Sequence, residues 1–257
     1  MITKLLIYGI IALIVGIFLL ITGIRKIKSY FMIKDIPTSK IRSVAIGISE
    51  IIGKSFSKSY LKSPVTKSDC VYYKYEVKEY RRHRTKDRTY YSWDQIYSTN
   101  DSIPFKIKDE TGEIDINPKS AEFNVKLSGK YYQSRPNILS GFLNINLSSL
   151  TEIDTSSKKL VQTNGVRFFS KVGDRMYYEY MVSSAEETYV IGTTKNINGK
   201  LIIEKGENNN IFIISDKSEK ELLKSIKSKI IINSIISIGL IILSIYLLFF
   251  QYYFFKV

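Results

Sequence analysis

From Leu5 to Ile24 every residue is apolar or small except Tyr8 and Thr22, and the run stops at Arg25-Lys26. At about 1.5 Å of rise per residue, a helix over this stretch covers ~30 Å, the thickness of a bilayer's hydrocarbon core. The run therefore predicts a transmembrane helix. A cleaved signal peptide is the competing reading, but that places its basic residues ahead of a shorter apolar core, and here they follow it. A second apolar run from about Ile230 to Phe250 ends in Gln251-Tyr252-Tyr253-Phe254-Phe255-Lys256, aromatic residues suited to the headgroup boundary. Ser218 with Glu221 forms a capping box, and Leu222, Leu223, Ile226 and Ile230 carry helical spacing from it into this run. That predicts one unbroken helix, longer than the bilayer core requires.

Arg25, Lys26, Lys28 and Lys34 follow the first span and Lys220, Lys224, Lys227 and Lys229 precede the second, whereas Lys4 and Lys256 alone flank the outer ends. The positive-inside rule then places the intervening domain in the cytoplasm. Gly9, Ala12, Gly16 and Gly23 share a face of the first span, and Ser237 and Ser244 share a face of the second. Small residues at such spacing allow close helix packing in lipid, although Gly and Ser are also simply common in membrane helices.

Three parts follow: 1–28 as the first transmembrane helix, 29–217 as a soluble domain, and 218–257 as a helical stalk and second span. The fold class expected is a membrane protein of α+β type, with two helices flanking a β-rich antiparallel barrel or sandwich. Val71, Tyr73, Tyr75 and Val77 alternate with Tyr72, Lys74, Glu76 and Lys78, the period of a half-buried strand. Phe105 and Ile107 lead through the turn Asp109-Glu110-Thr111-Gly112 into Ile114 and Ile116, with Pro118 closing the hairpin. Further strands are expected at Met176 to Val182, Tyr189 to Thr194, Leu201 to Glu204 and Ile211 to Ile214, with turns at Asn198-Gly199 and Gly206 to Asn210. The stretch from Ala121 to Gly165 is polar and weakly periodic, and its apolar patch, Ile138 to Leu147, fits no element.

With formal net charge +14, the chain should attract anionic lipid, acidic protein or nucleic acid. Its one Cys, Cys70, and one His, His83, exclude an internal disulfide and a zinc site of Cys and His ligands. No cofactor is expected. Cys70, opening an aromatic strand with no matched acid and base, reads as core packing rather than a nucleophile. Asp109 and Glu110 could act as acid and base, yet carboxylates before Thr-Gly are what a turn uses for backbone hydrogen bonds. No catalytic residue is assigned. The candidate binding site is the basic tip Arg81, Arg82, Arg84, Lys86 and Arg88, beside Tyr90, Tyr91 and Trp93. A solvated loop is the bland alternative. An anionic lipid surface is the partner favoured here, an acidic protein comes next, and nucleic acid is disfavoured.

Pro37-Thr38-Ser39-Lys40-Ile41-Arg42-Ser43, Ile46-Gly47, Glu50, Gly53, Ser63-Pro64, Cys70-Val71-Tyr72-Tyr73-Lys74-Tyr75-Glu76-Val77, Trp93, Pro104-Phe105 and Asp109-Glu110-Thr111-Gly112 follow the order of the GIDE-type domain. In this respect the chain resembles the membrane-associated module of mitochondrial membrane-anchored RING ubiquitin ligases, which also occurs in prokaryotic proteins without the ligase part. Glu179 and Tyr189-Val190-Ile191-Gly192 continue the likeness, while Ala185 stands where the family has Gly. The resemblance implies a domain held between two spans. It implies ligase chemistry only where a RING finger follows, and one Cys and one His cannot build the RING's zinc sites. The expected function is a non-catalytic, membrane-anchored binding or scaffold module. The alternative is a ubiquitin-ligase-related membrane protein that serves as partner chain of a modifying enzyme.

Overall fold

The computed structural model describes residues 2–134, 161–162, 170–207 and 211–255. The patch Ile138 to Leu147, the turn residues Asn208 to Asn210, and Lys256 lie outside them. Two compact units are formed, one from Met1–Pro37 with Ser218–Val257 and one from Thr38–Lys217.

The first unit is helical. Helix α1 (Ile2–Asp35) continues past the apolar run that ends at Ile24, because nothing from Arg25 to Lys34 breaks a helix. It stops where Pro37 disfavours helical backbone at Ile36. Helix α2 (Glu219–Phe255) begins after Ser218, whose Oγ accepts the Glu221 amide at 3.4 Å. The segments Ile7–Asp35 and Glu219–Phe249 are long and apolar enough to cross a membrane. Only 17% and 11% of their apolar windows are buried, whereas the core helix of a soluble protein is mostly buried. Antiparallel packing of α1 on α2 leaves Ile14, Phe18, Ile235 and Ile242 facing outward.

The second unit is built from strands. β1 (Gly47–Phe56), β5 (Phe105–Lys108), β6 (Glu113–Ile116), β12 (Lys200–Glu204) and β11 (Glu187–Ile197) pair in that order, and β11 returns to pair with β1. This closes a five-stranded ring. β13 (Ile213–Ser215) adds to β11, and β7 (Glu122–Phe123) adds to β13. A second sheet runs β2 (Leu61–Lys62), β3 (Asp69–Arg84), β10 (Arg175–Ser183), β8 (Leu127–Gln133) and β9 (Val161–Gln162), with β4 (Thr89–Ser102) also on β3. The expected antiparallel arrangement needs one correction: β6 with β12 and β13 with β7 are parallel. The long chain between each pair, which passes through the second sheet, supplies the crossover that parallel strands require.

Alternation along the strands decides which side is buried. Val71, Tyr75 and Val77 turn inward while Lys74, Glu76 and Lys78 stay partly exposed; Tyr72, expected on their side, is buried instead, stacked on Phe123. One core gathers Ile51, Phe105, Ile107, Ile116, Val190 and Ile203 of the ring and Phe212 and Ile214 at β13 with Val71, Tyr72 and Val182 of the second sheet. The second sheet is thus rooted in the ring. A smaller cluster, Val65, Tyr75, Val77 and Tyr177, packs farther along it.

Where β1 changes partners, Gly53 lets β5 approach: a Cβ there would stand 2.5 Å from the Lys108 carbonyl oxygen and 2.6 Å from Ile107 Cγ2. Backbone cannot yield as a flexible side chain can. Gly53→Ala should therefore destabilise the second unit by about 1–3 kcal/mol. Thermal unfolding of the full chain in detergent, followed by its β-sheet signal, checks this, and an unchanged midpoint would contradict it.

Candidate basic ribbon and its surroundings

β10 pairs with β3 only as far as Glu79 opposite Arg175, whereas β4 follows β3 to the last pair, Arg84 with Thr89. Past Tyr80, whose amide donates to the Asp174 carbonyl and whose carbonyl accepts the Gly173 amide, both at 2.9 Å, the two strands stand alone as a ribbon. A bulge between Val77 and Lys78 marks its base, where extra twist is expected. The turn is closed by the Thr85 amide donating to the Arg88 carbonyl at 2.9 Å and the Thr85 hydroxyl donating to the same oxygen at 3.0 Å.

The five candidate cations occupy three different settings. Arg81 Nε donates to Glu79 Oε1 at 3.0 Å, and Arg175 Nε holds the other oxygen of that carboxylate, also at 3.0 Å. On the same face His83 Nε2 lies 2.7 Å from Asp94 Oδ2 and its ring stacks on Tyr90. The Ser92 hydroxyl, the His83 ring and Arg81 hold the Asp94 carboxyl below its ordinary range. Arg88 lies over the Tyr90 ring, 5.8 Å from its centre. Arg82 and Arg84 project from the opposite face, and Lys86 sits in the turn, all three exposed. Among the described residues no carboxylate pairs with these three. Tyr80 stacks on Tyr91 and packs against Trp93 on the Arg82 face.

The acids that carry the family likeness act as clasps. Glu50, fully buried in β1, accepts the Thr38 hydroxyl at 2.5 Å and the Tyr189 hydroxyl at 2.6 Å. Glu179, also fully buried, accepts the Val65 amide at 2.8 Å and the Thr66 amide at 3.3 Å, fixing the loop before β3. Asp109 accepts the Ile41 amide at 2.9 Å and caps its own turn through Thr111 and Gly112. Partial burial raises its pKa, but these donors prevail and bring it down to about 2. Asp109 is thereby committed to structure, and Glu110, highly exposed, faces Lys40 at 3.6 Å. Burial, followed by the charge of Glu179, pushes the Cys70 thiol up to about 11, the setting of an inert core thiol. Beside Asp109 lies a groove of about 1030 Å³, lined by Lys40, Lys54, Lys108, Glu110, Glu113 and Glu187. Its charges are mixed and select no ligand sign.

In the helical unit the Ser237 hydroxyl donates to the Gly16 carbonyl and the Ser244 hydroxyl to the Gly9 carbonyl, both at 2.8 Å. Ala12 is half-buried, while no side chain comes within 4 Å of where a Cβ on Gly23 would stand. A Cβ on Gly16 would meet Ile241 Cγ1 at 2.9 Å. Gly16→Leu should therefore weaken the pairing of α1 with α2 by about 1–2 kcal/mol without preventing insertion. Disulfide cross-linking between cysteines at Ala12 and Ser244 should fall in this variant, and unchanged cross-linking would count against the interface.

No curated protein and no solved structure matches the chain. The model of the GIDE family, described as an E3 ubiquitin ligase, matches residues 75–249, from within β3, through the ribbon and β10 to β13, into α2. Among the described residues no group of three His, Cys, Asp or Glu side chains could hold a metal ion. The match spans more than half the sequence, and the chain belongs to the GIDE family.

Proposed function

We propose that this chain is a two-pass membrane protein whose unit Thr38–Lys217 lies in the cytoplasm as a non-catalytic binding module, gripping an anionic lipid surface through the β3–β4 ribbon. The observation that carries the reading is the ribbon itself, a two-stranded arm with arginines and exposed tyrosines and no core of its own. Both ends of the unit continue into helices long and apolar enough to cross a bilayer, and the basic residues beside them favour the cytoplasmic side. Tethering keeps a lipid surface at high effective concentration, so modest affinity suffices. Each cation near an anionic leaflet contributes ~1 kcal/mol, decaying over a Debye length of ~8 Å at physiological salt.

A second reading rests on the family description: the chain serves a ubiquitin-type modifying enzyme whose catalytic part is a separate polypeptide. Purification from native membranes with a stoichiometric zinc-containing or thioester-forming partner would favour it.

The full chain in phosphatidylcholine nanodiscs should bind vesicles containing phosphatidylserine, release them at high salt, and lose most binding when Arg81, Arg82, Arg84 and Arg88 are all changed to Ser. Undiminished binding by that variant would remove the ribbon from the site.

A further inference from the structure

Successive side chains of a strand point to opposite faces. Along β3 this sets Lys74, Lys78, Tyr80, Arg82 and Arg84 on one side and Glu79, Arg81 and His83 on the other. Residues directly opposite in the ladder share a face, so Trp93, Tyr91 and Thr89 join Tyr80, Arg82 and Arg84, while Asp94, Ser92 and Tyr90 join Glu79, Arg81 and His83. The two faces differ in kind. On the second, Glu79 is bonded to Arg81 and Arg175, and Asp94 lies against His83 and Ser92, so its cations are answered within the protein. The first face of the ribbon bears two arginines, three aromatic rings and no carboxylate. Toward the sheet it continues into Lys78 and Lys74, whose ammonium groups lie 5.1 and 5.6 Å from the ring centres of Tyr178 and Tyr180. One acid, Glu76, falls in this row, and it is paired with Lys74 at 2.7 Å.

We infer that the ribbon docks on anionic lipid headgroups by this single face, with Arg82 and Arg84 on phosphates or carboxylates and Tyr91 and Trp93 at the level of the headgroups. The inference rests on the lipid-binding reading above and assigns its contact residues. A guanidinium suits a headgroup phosphate because its planar fork of donors can bond two oxygens at once. Tyrosine and tryptophan suit the same layer because each joins an apolar ring to a polar tip. Arginines already committed to carboxylates, as Arg81 is, would have to break those bonds first. Half-exposed Trp93 is the sequence's one tryptophan, so the chain's indole fluorescence reports on this face.

Two charge-matched variants of the full chain test the inference in phosphatidylcholine nanodiscs titrated with phosphatidylcholine–phosphatidylserine vesicles. R82S/R84S removes two cations from the docking face, and R81S/R88S removes two from the other face and the turn. The first should lose roughly thirtyfold in affinity and the second no more than about threefold. Independently of any variant, Trp93 emission in the parent should shift to shorter wavelength on vesicle binding and be quenched by nitroxide-labelled headgroups. Equal losses in both variants with no response of Trp93 would overturn the face assignment while leaving the lipid reading standing. Undiminished binding in both would overturn the two together. Absence of vesicle binding, with salt-dependent capture of a single-stranded oligonucleotide through Arg82 and Arg84, would overturn the choice of ligand.

Discussion

The pairing of β1 with β11, from Gly47 opposite Thr194 to Lys54 opposite Glu187, turns a row of short strands into a closed ring. It joins strands far apart in the sequence, and closing that loop costs entropy before any core contact offsets it. The seam is reinforced by polar groups that a generic apolar seam would lack. Glu50 holds Tyr189 of β11 and Thr38 of the entering chain, and the Ser49 and Thr194 hydroxyls share a hydrogen bond. Each bond stabilises modestly, but removing one partner would strand the other in the core at greater cost. Val71, Tyr72 and Val182 then share the ring's core, which roots β3 and β10 and leaves β3 and β4 to extend beyond the sheet.

Acids held by hydrogen bonds in a GIDE-family chain invite a catalytic interpretation, yet here Glu50, Asp109 and Glu179 each receive donors from segments far away in sequence. They work as clasps. The pH sense follows for Asp109, whose folded pKa is depressed. Its stabilisation is complete above the ordinary carboxylate value of ~3.9 and is lost as pH falls through about 2. Asp109, Glu179 and the basic ribbon lie within the residues that match the family model, and Glu50 precedes them.

Where one face of an element meets a core, its period was legible in the sequence. The alternation from Val71 to Val77 and the Asp109 to Gly112 turn mark β3, β5 and β6, and the apolar runs mark both helices. β1 was not legible, because Ser49, Glu50, Gly53 and Ser55 interrupt its pattern, and the structure buries Ser49, Glu50 and Ser55 as polar groups with partners. β4 and the outer half of β3 were missed for another reason. A ribbon with no core on either side imposes no hydrophobic period, so Arg81 to Arg88 read as a tip although only Thr85 to Arg88 form the turn. Extending the two-residue alternation past Lys78 would have separated Arg82 and Arg84 from Arg81. That Glu79 also holds Arg175 becomes apparent only once the ladder register is known.

The proposed lipid-binding role requires that the domain be held at a membrane on its cytoplasmic side. Single cysteines at the exposed positions Lys58 and Lys86, in a Cys70→Ser background, can be challenged on intact cells with a membrane-impermeant thiol reagent. The account predicts labelling only after the cells are permeabilised, with the protein retained in the membrane fraction throughout. Ready labelling of either position on intact cells would contradict it.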